Sequence, residues 1–180
     1  WAEAIKHGFI LDASLVDVFE EHAEALMNVE PEISTEVIRR SMAIKANVVS
    51  QDERETLGIR IMLNYGHTIG HALESTTEYG TFFHGEGVSV GMMGAATMAQ
   101  EMGLHSQDLV DRQRAILERF NLPTLAKGLN AAAILEGMSL DKKVQSGSKR
   151  WVMLEEVGRS VVRTDVPEEL VEKTVRDLVS

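Results

Sequence analysis

Residues 86–102, EGVSVGMMGAATMAQEM, constrain the fold more than any other stretch of this chain. Gly and Ala let neighbouring backbones come close, and Met, unbranched and adaptable, fills irregular gaps between them. That composition suits a buried central helix closely packed by neighbours. The rest of the chain supplies candidates for those neighbours. Residues 1–9 read as a short helix. SLVDVFEEHAEALMN (14–28) places Leu15, Val18, Phe19, Ala23 and Leu26 on one face, with Ser14 and Asp17 in capping-box spacing. Pro31 ends that segment, and Ser34 or Thr35 can cap the next, VIRRSMAIKANVV. The acidic turn QDERE and Gly58 lead to IRIMLNYG and then HTIGHALE. SQDLVDRQRAILERF is amphipathic through Leu109, Ile116 and Phe120, and Leu122-Pro123 ends it.

Near residue 150 the period changes. Trp151–Leu154 and Ser160–Arg163 are short β-prone runs around Gly158, the pattern of a hairpin. Asp165 and Glu168 then frame Pro167 as a helix start for EELVEKTVRDLV. SGSKR (146–150) reads as a flexible loop. The fold class expected is therefore mainly α, a multi-helix domain with a small β-hairpin near residues 151–163.

At 180 residues, 44% of them hydrophobic, the chain can bury a core and form one domain or one part of a larger protein. Eighteen basic against 28 acidic residues give a net charge of −10, which argues against a general nucleic-acid or anionic-membrane surface. Cysteine is absent, so a transition metal would have to be held by His and carboxylates. No apolar run reaches the ~18 residues of a membrane span, and the N-terminus lacks a signal-peptide layout. A cytoplasmic enzyme or enzyme domain is the default expectation. The first residues, WAEAIKHGFI, lack Met and already follow a helical pattern, which reads as a fragment whose N-terminal neighbour is missing.

The chemistry centres on LNYGHTIGHALE, where His67 and His71 lie four positions apart and share a helical face. An HxxxH pair alone does not specify a metal site, since capping and core histidines are common. His84, in FFHGEGVSVG, adds a third imidazole at the start of a helix, flanked by Gly85 and Gly87. A catalytic divalent ion needs about three protein ligands and an open position. The acid could be Glu3, Glu74, Glu86 or one of QDERE, and spacing alone does not choose the ligand set. Glu3 differs from the others in lying among Trp1, Ala2, Ala4 and Ile5. Lys6, Lys45, Arg60, Lys142 and Lys143 form a basic set interleaved with these groups. Arg60, Asn64, His67 and His71 would form one stripe if the helix ran through Gly66, an arrangement suited to an anionic, hydroxylated substrate. The plainer reading pairs Arg60 and Lys45 with the acids of QDERE at the surface. No GxGxxG follows a strand, so most of any nicotinamide site would lie outside this chain.

The segments AEAIKHG, KANVVSQDE, RIMLNYGHTIGHALE, HGEGVSVGM and DKKV, in this order, resemble the C-terminal domain of 3-dehydroquinate synthase, among the sugar phosphate cyclases. The resemblance runs from residue 1 to the end. It implies the conversion of a seven-carbon keto-sugar acid phosphate (DAHP) to 3-dehydroquinate and phosphate, in the shikimate pathway of aromatic amino acid biosynthesis. It further implies a divalent metal, zinc or cobalt, a catalytic NAD, and a two-domain protein, commonly a homodimer. This chain (1–180) matches only the metal- and substrate-binding domain, and the NAD-binding domain is absent from it. Carried over residue by residue, the resemblance implies metal ligation by Glu3, His67 and His84. His71 becomes a hydrogen-bonding and proton-transfer residue, and Lys6 a substrate-contacting lysine. Lys45, Arg60 and Asn64 would hold the substrate's carboxylate and phosphate, and Lys142, or else Lys143, would bind phosphate. In such an enzyme the metal acts as a Lewis acid while cationic groups orient both ends of the substrate.

A fragment without its partner domain is expected to be inactive alone. The competing readings are a 2-deoxy-scyllo-inosose or valiolone-type cyclase, an iron-type alcohol dehydrogenase domain, and a non-enzymatic helical interaction module. Lys6, Lys45 and Arg60 together favour a substrate with both carboxylate and phosphate.

Overall fold

A computed structural model describes residues 1–54, 58–77, 82–144 and 150–180, with the side chains of 140–144 excepted. The central element is α6 (His84–Glu101), buried continuously from Gly87 to Ala96 and again at Met98 and Ala99. Around it pack α1 (Ala2–Leu11), α5 (His67–Thr76), α7 (Gln107–Arg119), α9 (Glu168–Val179) and the first strand of the hairpin. The Gly/Ala/Met segment is thus the buried helix that its composition demands. A further helix, α8 (Ala131–Val144), packs on α5 and α9 and was not foreseen. Its cap is Asn130, whose side chain accepts from Ala132 N (2.9 Å) and Ala133 N (3.3 Å).

The backbones of α5 and α6 come very close, and glycines make the contact. A Cβ on Gly91 would lie 1.8 Å from the Gly66 carbonyl oxygen, and one on Gly87 would lie 3.0 Å from the Gly70 carbonyl oxygen. Gly66 and Gly70 on one side meet Gly87 and Gly91 on the other, each pair one turn apart. Gly66 also has φ +77°, a left-handed conformation that L side chains adopt only at a cost. It separates the 3₁₀ turn Arg60–Asn64 from α5. The helix is therefore not continuous through Gly66, and the expected stripe of Arg60, Asn64, His67 and His71 does not form as one helical face.

Two other local expectations are corrected. Residues 14–28 are two helices, α2 (Ala13–Glu21) and α3 (Ala23–Met27), which break at His22. The cap of α2 is Asp12, which accepts from Leu15 N (3.2 Å); Ser14 donates to that carboxylate instead (2.8 Å). The long α4 (Pro31–Gln51) starts at Pro31, where a missing N–H costs nothing, so Ser34 lies inside the helix and caps nothing. Arg40 of α4 reaches Asp12 at 2.6 Å and ties α4 to the α1–α2 corner.

The hairpin joins β1 (Trp151–Glu156) to β2 (Arg159–Arg163), antiparallel, with Trp151 opposite Arg163 and Val152 opposite Val162. Gly158 turns it at φ +83°, and its N–H donates to the Phe9 carbonyl at 2.8 Å. The start of α1 is held by an aromatic trio. Trp1, Phe19 and Phe120 meet edge to face, with centroids 5.2–6.2 Å apart. The same contacts hold Glu3 in place, two residues along. SGSKR lies outside the described residues except for Arg150. No described helix is long and apolar enough to cross a membrane.

Candidate metal centre

Three elements deliver one side chain each to a single point. Glu3 comes from the first turn of α1, His67 is the first residue of α5, and His84 is the first residue of α6. One ligand atom from each lies within 4.8 Å of the others. Glu3 Oε1 is 3.4 Å from His67 Nε2 and 3.6 Å from His84 Nε2. Two ligands on a tetrahedral ion with bonds of ~2.1 Å sit about 3.4 Å apart, so the spacing is that of a coordination shell.

The hydrogen-bond inventory supports the same reading. His67 Nδ1 faces the Tyr65 carbonyl at 3.1 Å, and His84 Nδ1 faces Glu74 Oε1 at 2.9 Å. A carbonyl and a carboxylate only accept, so each Nδ1 carries a proton, and in the neutral imidazole Nε2 is left with its lone pair. Glu3 Oε1 is itself buried and without a hydrogen-bond partner. Two lone pairs and an anionic oxygen with no proton between them repel one another unless a cation sits among them. The donor set, two imidazoles and a carboxylate, fits zinc or a similar divalent ion.

Charge around the site is arranged to keep these forms. Burial pushes His67 down to about 4, and the nearby Lys6 ammonium pushes the same way, so the imidazole is neutral at neutral pH. For Glu3, burial pushes upward, but Lys6 and the neighbouring histidines outweigh it and hold the carboxyl below its ordinary value. Lys6 is almost fully buried; it donates to Glu3 Oε2 at 2.9 Å and to the Leu63 carbonyl. Burial lowers its pKa, and Glu3 partly offsets this.

His71 stands one turn beyond His67 and is exposed. Its ring centroid is 5.3 Å from that of His67 and 5.9 Å from that of His84. It borders the three-ligand group and is not part of it. The HxxxH pair is therefore split, with only His67 in the cluster. Lys45 is exposed on α4, close enough to Lys6 and His7 to depress both ammonium and imidazolium. Asn64 is exposed at the end of the 3₁₀ turn, and Arg60 is half-buried at its start, where its N–H donates to Asp52 Oδ2 at 3.2 Å. The side chains of Lys142 and Lys143 lie outside the described residues.

The other candidate acids have different work. Glu86 accepts from Phe83 N at 2.8 Å at the start of α6, and the buried Asp52 holds the N–H groups of Ile59 and Arg60. Glu74 holds His84. One buried group was missed altogether. His7 contacts Ser41 Oγ through Nδ1 at 2.7 Å and leaves Nε2 buried without a partner. Its place one turn after Glu3 on α1 was the available signal.

A sequence model described as 3-dehydroquinate synthase C-terminal matches residues 1–144. A 3-dehydroquinate synthase of Nitrosospira multiformis is 45% identical over 166 residues, which cover 92% of this chain and 45% of that protein. One from Nostoc punctiforme is 40% identical over 180 residues, covering 98% and 49% respectively. The chain thus spans about half the length of the curated relatives it matches. Among solved structures, a 2-epi-5-epi-valiolone synthase of Streptomyces hygroscopicus, with NAD+ and Zn2+ bound, shares the fold. Its TM-score is 0.87 at 22% identity, over 98% of this chain and 49% of that one. A 2-deoxy-scyllo-inosose synthase complexed with carbaglucose-6-phosphate, NAD+ and Co2+ aligns at TM-score 0.71 and 23% identity, over 99% and 51%.

Proposed function

Because the chain belongs to the 3-dehydroquinate synthase C-terminal family, we propose that it is the metal- and substrate-binding half of such an enzyme. The reaction is conversion of DAHP to 3-dehydroquinate and phosphate. The observation that carries this reading is the meeting of Glu3 Oε1 with His67 Nε2 and His84 Nε2 at 3.4 and 3.6 Å. Glu3, His67 and His84 would hold a zinc or cobalt ion, which supplies Lewis acidity to a substrate oxygen when bound. NAD, bound by a separate nucleotide-binding half, would accept and return a hydride.

The chain's own residues do the rest. Lys6, which donates to Glu3 Oε2, keeps that carboxylate ionised, and it would contact the substrate beside the cluster. Lys45, Arg60 and Asn64 lie on α4 and the 3₁₀ turn, which pack on each other and, like α1, flank this region; they bind the carboxylate and phosphate by charge and hydrogen bonding. Lys142 adds a phosphate contact. His71, exposed at the edge of the cluster, takes and returns a proton at its imidazole. With the groups that bind NAD on the other half, the 180 residues alone bind metal and do not turn over substrate. The two-domain protein is cytoplasmic and assembles as a homodimer. Identities of 40–45% to 3-dehydroquinate synthases favour this substrate over those of the valiolone and inosose cyclases.

The test has two arms. The chain should bind one equivalent of zinc and lose it in both Glu3→Ala and His84→Ala; retention in both refutes the ligand set. Joined to the N-terminal half of a relative, it should convert DAHP and leave glucose 6-phosphate, a sugar phosphate without a carboxylate, untouched. Preference for that sugar overturns the substrate assignment, and DAHP turnover by the chain alone overturns the claim that it is inactive.

A further inference from the structure

Among the three groups of the cluster, His84 is the least restrained by the fold. It begins its helix, and its side chain is 48% exposed, against 13% for His67. His67 is oriented by a backbone carbonyl that comes with the fold. His84 has instead a single side-chain partner for Nδ1, Glu74 Oε1 at 2.9 Å. We infer that Glu74 is a positioning residue for the metal centre. By accepting the Nδ1–H of His84 it fixes the tautomer and the ring rotation that aim Nε2 at Glu3. The inference rests on the three-ligand site proposed above.

The placement of Glu74 is built into the α5–α6 contact. Glu74 follows Gly70 by one turn on α5, and its side chain lies over Gly87 of α6. A Cβ at Gly87 would stand 3.3 Å from Glu74 Oε1 and 3.5 Å from its Cγ. A larger residue at 87 would crowd the carboxylate away from His84. The glycine that lets the two helices approach therefore also makes room for the carboxylate between them. A carboxylate behind a ligating imidazole makes Nε2 a better donor and reduces the rotational freedom lost on binding. Glu74 meets His84 at Nδ1, and among the described residues the ligand group is Glu3, His67 and His84.

The test compares two substitutions of similar volume. Glu74→Met keeps the packing over Gly87 but offers His84 no comparable acceptor, whereas Glu74→Gln keeps an acceptor oxygen and loses the charge. Zinc affinity is measured for the 180-residue chain by competition with a chromophoric chelator. The visible spectrum of the Co2+-loaded chain reports the coordination geometry, and thermal unfolding of the metal-free proteins reports folding. Glu74→Met should weaken zinc binding about 10- to 100-fold and alter the cobalt spectrum. Glu74→Gln should recover most of the affinity and the wild-type spectrum, with metal-free unfolding midpoints alike in both. Wild-type affinity in Glu74→Met, together with its loss in His84→Ala, overturns this inference and leaves the ligand set standing. Equal weakening in Met and Gln variants also overturns it, since a retained acceptor would then count for nothing. If the unsubstituted chain binds no zinc, the site reading falls and this inference with it.

Discussion

Gly91→Ala is the sharpest probe of how the fold builds the site, because two effects of opposite sign compete there. Replacing a mid-helix glycine by alanine ordinarily stabilises by about 0.5–1 kcal/mol, through the smaller conformational entropy lost on folding. At residue 91 the new Cβ would sit 1.8 Å from the Gly66 carbonyl oxygen, 2.8 Å from its carbon and 3.0 Å from Gly70 N. A carbon and a carbonyl oxygen settle near 3.3 Å at closest, so α5 and α6 must separate locally by about 1.5 Å. The obstacle is backbone and cannot rotate aside as a side chain would. Overpacking typically costs about 1–3 kcal/mol, and this site belongs at the upper end. The net expectation is a loss of about 2 kcal/mol, or roughly 4–8 °C in Tm for a chain of this length.

The same separation moves His67, next to Gly66, away from His84 at the head of α6. Zinc affinity should fall at least about tenfold, as it does when the support of a metal ligand is disturbed. Denaturant unfolding of the metal-free chain and chelator competition measure the two effects. An alanine variant that is more stable than the parent and binds zinc equally well would refute the view that glycine-mediated helix contact sets the histidine spacing.

His67→Ala should cost more than the ~100-fold expected of a supporting residue, while His71→Ala should keep zinc affinity within about threefold; a His71 variant that loses the ion would mean the pair is a clamp after all. In the metal-free chain His7 is held down to about 4, by burial first and by Lys6 second, against an ordinary 6.5. The unfolded chain therefore takes up a proton at this residue as pH falls through 6.5, and the folded chain does not until about pH 4. Its stabilising contribution is complete above 6.5 and is lost between 6.5 and 4, by up to roughly 3 kcal/mol. His67, also held down to about 4, contributes over the same window, so His7→Phe should reduce the slope of unfolding free energy against pH there by about half, and an unchanged slope would refute the assignment.

Composition and period along the chain determined the helical class, the burial of residues 86–102 and the hairpin around Gly158. Each depends on a pattern of apolar, small and turn-forming residues that is local in sequence, and burial and backbone entropy act on such patterns directly. The cluster was legible as a set of residue types, and the resemblance to a family singled out Glu3, His67 and His84. Spacing alone could not exclude His71, which shares a helical face with His67. Tertiary structure decided that. Gly66 in its left-handed conformation breaks the helix before His67, and the contact of Gly66 and Gly70 with Gly87 and Gly91 brings the starts of α5 and α6 together. Trp1, Phe19 and Phe120 then fix α1 so that Glu3 faces both imidazoles. Glu74 stood among the candidate acids and His7 one turn from Glu3, but the partners of both were beyond reach of the sequence for the same reason. Their roles come from partners 10 and 34 residues away, Glu74 at His84 and His7 at Ser41, and a hydrogen bond between such groups exists only once the helices that carry them have packed.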